Sequence, residues 1–122
     1  MSTSGSTLRE LKRKGAAMSS TSSPTEPAKC NDMIQVRAGV DSVDAQLVEL
    51  LVVRFAYMDA AARIKTDRDA VRDEARKQQV LKNVQDAASG SGIPVEVVAD
   101  LWERLVEASI AYELDKWDAK RV

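Results

Sequence analysis

From Asp32 to about Thr66 the chain has no proline and a single glycine, Gly39, and its apolar positions recur at alternating three- and four-residue steps. That spacing marks one face of an α-helix. The stripe runs Arg37, Val40, Asp44, Leu47, Leu51, Arg54, Met58, Ala61, Lys65: apolar, with charges set into it. One helix of about 34 residues, about 50 Å long at 1.5 Å per residue, is the simplest reading. The polar stretch Thr66 to Ala70 breaks the pattern. A second helix is expected from near Val71 to Ser89, with Val80, Leu81, Val84 and Ala88 inward. Gly90, Ser91 and Gly92 end it, and Pro94 suits the first turn of a third helix that runs to about Lys120 and carries Val98, Leu101, Trp102, Leu105, Ile110 and Tyr112.

The fold class is therefore all-α, a three-helix chain with one long N-terminal helix. Two shorter helices leave much of the first without cover from its own chain, so pairing into a homodimer is expected. Residues 1–31 hold seven serines, four threonines, Pro24 and Pro27. Such a segment buries too little apolar surface to offset the entropy of ordering it, and it reads as a disordered tail. A short helix around Leu8 to Lys14 within it has nothing to pack on. Residues 32–122 form the helical domain.

Charge sharpens this division. Five Lys/Arg against two Asp/Glu give the tail +3, while thirteen against seventeen give the rest −4. An acidic body argues against nucleic acid as the partner. With no histidine and one cysteine, Cys30, the chain lacks the usual parts of a metal site, a His-activated nucleophile or a disulfide framework. No metal or cofactor is expected. No apolar run approaches a membrane span and the first residues lack the apolar centre of a secretory signal, which points to no membrane partner and a cytoplasmic location.

Chemistry must then come from Arg, Lys, carboxylates and hydroxyls. Arg54 and Lys65 take inward steps of the long helix, eleven residues apart and so close to three whole turns, about 16 Å along one face. Two cationic side chains reaching across that gap suit a small dicarboxylate, with Arg as the bidentate partner. Arg37 lies about 25 Å from Arg54 and about 100° around the helix, so in an antiparallel pair it serves the partner's site. Asp73 and Arg76 lie one turn apart at the start of the second helix, and Ser109 and Glu113 one turn apart on the third. Taken singly, these read as snorkelling stems, a surface ion pair and a polar interface shoulder.

In series they resemble the all-helical chorismate mutases. An Arg, a second Arg and a Lys at fixed helical spacing appear as Arg37, Arg54 and Lys65. The V-R-D-x-x-R segment appears as Val71, Arg72, Asp73 and Arg76, and the late Ser followed four residues on by Gln or Glu as Ser109 and Glu113. The likeness covers about residues 33 to 118. RFAYMDAAARIK and the ending YELDKW also look like the isochorismate-pyruvate lyase branch of the same fold.

The resemblance implies an intertwined homodimer that converts chorismate to prephenate without a cofactor. Arg54, Lys65, Arg76 and the partner subunit's Arg37 would hold the carboxylates and ether oxygen of chorismate, Ser109 would support a carboxylate and Asp73 would meet the ring hydroxyl. Family members often have Glu after that Arg, where Lys77 stands here. Lys65, aimed at the ether oxygen as its C–O bond breaks, would stabilise the transition state more than the substrate. Glu113 can donate to that oxygen only when protonated, which predicts activity that declines as pH rises. Two rival readings are a lyase that uses the same pocket to form salicylate from isochorismate, and a non-catalytic helical dimer.

Overall fold

The computed structural model describes residues 23–121, and among these all regular structure is helical. Residues 1–22, including the Leu8 to Lys14 stretch and most of the Ser/Thr-rich tail, lie outside the described residues. Helix α1 spans Met33–Ile64, α2 spans Glu74–Ser91 and α3 spans Val95–Lys120. The long first helix thus forms as a single element. Two compact units meet between Arg54 and Phe55, inside α1.

In the N-terminal unit, Pro27–Lys29 form a 3₁₀ turn, and Asp32 opens α1 by accepting the Gln35 N–H at 2.8 Å. Gln35 reaches back, its side-chain oxygen accepting the Asn31 N–H at 2.6 Å. This reciprocal arrangement satisfies donors that a helix start leaves without partners. It also places a turn and part of the cap at residues 27–31, where composition alone reads as tail. The apolar steps of this part of α1 remain open in the single chain: Val40, Val43 and Leu47 are all about half exposed, at 52%, 53% and 51%.

In the second unit, α2 and α3 pack as a hairpin, with Ala62, Val71, Ala88 and Val106 buried. Val80, Leu81, Val84, Val98, Trp102, Leu105 and Ile110 are half-buried around them, as the helical pattern requires, whereas Leu101 is exposed. The turn into α3 depends on Gly92, whose φ of 77° is the left-handed conformation that only glycine adopts at low cost. Its N–H satisfies carbonyls of Ala88 and Ser89 at the end of α2.

Two helix boundaries differ from the sequence expectation. α1 stops at Ile64 and α2 starts at Glu74 rather than near Val71. The cause is local: Asp67 accepts the Asp69 N–H at 3.0 Å and Asp73 accepts the Arg76 N–H at 3.0 Å. Aspartates that bond to nearby backbone favour turns and caps over helix interiors. The segment between them makes a 3₁₀ turn at Arg68–Ala70.

Candidate active site

Lys65 is the first residue beyond α1, its N–H still bonded helically to the Ala61 carbonyl at 2.9 Å. Its ammonium lies 2.8 Å from Glu113 Oε2 and 3.5 Å from the Val71 carbonyl. Glu113 sits in the C-terminal half of α3 and its side chain is only 5% exposed, against 30% for Lys65. A carboxylate so far out of water needs a compensating charge, because desolvation alone costs several kcal/mol. Lys65 supplies it. The contact is an ion pair without hydrogen-bond geometry, so Oε2 is buried with no hydrogen-bond partner.

Ser109, one turn before Glu113, is also buried and donates to the Leu105 carbonyl at 2.6 Å. The buried residues among those described are four apolar ones plus Ser109 and Glu113. Buried polar groups are the informative exception in a small core, and both of these were singled out by the sequence pattern.

Other predicted residues have different surroundings. Asp73 and Arg76 do lie one turn apart, but they are joined through the cap to the Arg76 N–H rather than as an ion pair, and the Arg76 guanidinium donates to the Gln79 side chain at 2.8 Å. An aspartate at a helix start finds unpaired N–H groups closer than any distant cation. Lys77 donates to Glu103 and Glu107 at 2.8 and 2.7 Å. Arg37 is exposed and Arg54 half-buried, both on the part of α1 within the N-terminal unit. That unit also contains a groove of about 460 Å³ with walls that include Pro27, Val36, Val40 and Val43; it is lined by none of the seven predicted residues.

Further contacts hold the end of α1 to α3. Tyr112 donates to Asp59 at 3.0 Å, and the Phe55 ring meets the Tyr112 ring edge-on at 4.9 Å. Burial, then the bond to Asp59, raises the Tyr112 hydroxyl above its ordinary pKa. Trp117 Nε1 donates to the Lys65 carbonyl at 3.0 Å. Arg121 donates to the same carbonyl at 2.6 Å and to that of Ala62 at 3.1 Å. Sequence reasoning gave Arg121 no role and took Trp117 only as the close of YELDKW. Trp117 follows Glu113 by four residues on α3 and Arg121, eight residues on, is that helix's C-cap; this spacing was the available signal.

Among the described residues the chain is all-helical, with Ser109 and Glu113 buried in its small core and Lys65 paired to Glu113 from the core's edge. The chain belongs to the chorismate mutase type II family, whose model matches residues 36–114. It is similar to a protein of Pseudomonas aeruginosa, isochorismate pyruvate lyase, with 25% identity over 95 residues that cover 78% of this chain and 94% of that protein. No solved structure matches it with significance. No helix among the described residues is long and apolar enough to cross a membrane.

Proposed function

We propose that the protein is a chorismate mutase that acts as a homodimer, converting chorismate to prephenate in a cationic pocket. The observation that carries this reading is the Lys65 ammonium held 2.8 Å from the buried Glu113 carboxylate, with Ser109 buried one turn away. The rearrangement breaks the ether C–O bond and forms a C–C bond within one molecule, and no proton is lost or gained. It therefore calls for a folded substrate conformer and for charge at the ether oxygen rather than for a nucleophile. Restricting the enol-pyruvyl group over the ring supplies part of the acceleration. Lys65 donates to the ether oxygen as negative charge develops there; Glu113 holds the Lys65 ammonium in place and can add a second donor only in its acid form.

In this reading Arg54, Arg76 and the partner subunit's Arg37 bind the two carboxylates, Ser109 supports one of them and Asp73 accepts the ring hydroxyl. The Asp73 cap uses Oδ1, and Oδ2 is the atom assigned to substrate. Lys77, tied to Glu103 and Glu107, leaves hydroxyl recognition to Asp73. The half-exposed apolar steps Val40, Val43 and Leu47 favour a second copy as their cover.

A second reading, isochorismate-pyruvate lyase, is favoured by the likeness to the Pseudomonas protein of that name. It uses the same cations to eliminate pyruvate and leave salicylate. Incubation with chorismate and isochorismate separately discriminates between them. Prephenate from chorismate is the expected product; salicylate alone would reassign the protein to the lyase branch. Lys65→Ala should lower kcat by about 10²–10³, the usual loss for one preorganised donor. Unchanged turnover in that variant would reject both enzymatic readings.

A further inference from the structure

The last carbonyls of an α-helix have no intrahelical donors and take partners from elsewhere. At the end of α1 those partners are two side chains more than fifty residues downstream. Trp117 Nε1 and Arg121 Nη2 both donate to the Lys65 carbonyl, at 3.0 and 2.6 Å, and Arg121 Nη1 donates to the Ala62 carbonyl at 3.1 Å. The Arg121 guanidinium also stacks on the Trp117 ring, 4.1 Å from its centre, so each donor holds the other in place. One turn back on α3, Glu113 receives the Lys65 ammonium. Lys65 is thus gripped at both ends by one helix and its C-cap: its main chain by Trp117 and Arg121, and its ammonium by Glu113.

We propose that Trp117 and Arg121 are positioning residues for Lys65, which hold its Cα so that the four-carbon stem delivers the ammonium to Glu113 and to the reacting ether oxygen. Neither touches substrate. The proposal rests on Lys65 being the catalytic cation of the proposed function, but the grip itself is independent of which reaction occurs. Lysine stems are flexible point-charge carriers, and a small misplacement of a catalytic group lowers rate far more than affinity. A loosened main chain at Lys65 therefore reduces transition-state stabilisation and leaves substrate binding, made by arginines elsewhere, nearly unchanged.

The test uses Trp117→Phe, which keeps the ring and removes the N–H, and Arg121→Lys, which keeps the charge and removes the fork. In each the expected result is a kcat lowered about tenfold with KM within about twofold of the parent. The Lys65 side-chain ¹⁵Nζ resonance, identified by its absence in Lys65→Arg, should move toward the position of exposed lysines in both variants. Variants that merely lose thermal stability, with kcat and the Nζ resonance unchanged, would overturn the proposal. A parent protein that turns over neither chorismate nor isochorismate, while the resonance still moves, upholds the positioning role and rejects only the function proposed above.

Discussion

At the level of single residues, Glu113 carries the sharpest consequence. In the proposed reaction, a hydrogen bond donated to the ether oxygen needs the acid form, whereas the ionised form accepts only. Glu113→Gln carries an N–H donor in place of the acid and should retain turnover, whereas Glu113→Ala should lose about 10²–10³ in kcat, as followed by loss of chorismate. Equal turnover in the two variants would remove Glu113 from the chemistry. Lys65, Ser109 and Glu113 were legible in the sequence because each breaks a helical apolar stripe, and the structure places Glu113 and Ser109 among its few buried side chains. Trp117 and Arg121 were not legible. Their partners are main-chain carbonyls, which leave no mark in a pattern of side-chain types, and a tryptophan on an apolar stripe reads equally well as core.

At the level of elements, the three helices follow from periodicity, Gly92 and Pro94, but the connection from Lys65 to Asp73 does not. There side chains decide: Asp67 and Asp73 bind local N–H groups, and Arg68 clasps Asp118 through two bonds of 2.8 and 3.1 Å. Next to it, Glu107 of α3 accepts from Arg72 at 2.6 and 3.1 Å and from Lys77 at 2.7 Å, which ties the start of α2 to α3. The bonds from Arg72, then those from Lys77, lower the Glu107 pKa from 4.5 to about 2. A depressed carboxylate binds its proton more tightly in the unfolded chain, so its contribution to stability is present above pH 4.5 and is lost as pH falls toward 2. Asp118, held below its ordinary value first by its bond to Arg68, adds in the same direction. Glu107→Gln should lower the melting temperature near neutrality and reduce its fall on acidification. Arg72 and Glu107 keep contact with solvent, so 1 M salt should weaken the parent's advantage. An identical acid slope in parent and variant would place the acid sensitivity elsewhere.

At the level of the whole molecule, the proposed assembly makes a prediction that neither a monomer nor a dimer with self-contained sites can satisfy. Arg37 is exposed in the single chain, on a helix whose apolar steps around it are half open, and the proposed function uses it across the subunit boundary. The parent should therefore have a mass of twice the chain's 13.4 kDa in sedimentation equilibrium. Leu47→Glu, which sets a charge into that face, should shift the protein toward monomer and abolish turnover together. The decisive form of the test is complementation. Arg37→Ala and Lys65→Ala are each expected to be inactive alone, because every site in either homodimer has one defect. Once subunits are exchanged, about half of the dimers contain one chain of each kind. In such a dimer one site takes Lys65 from the first chain and Arg37 from the second and is intact, while the other site lacks both. Activity should return to about a quarter of the parent's per site. If Arg37 served its own chain's site, both sites of the mixed dimer would still carry a defect, and exchange would restore nothing.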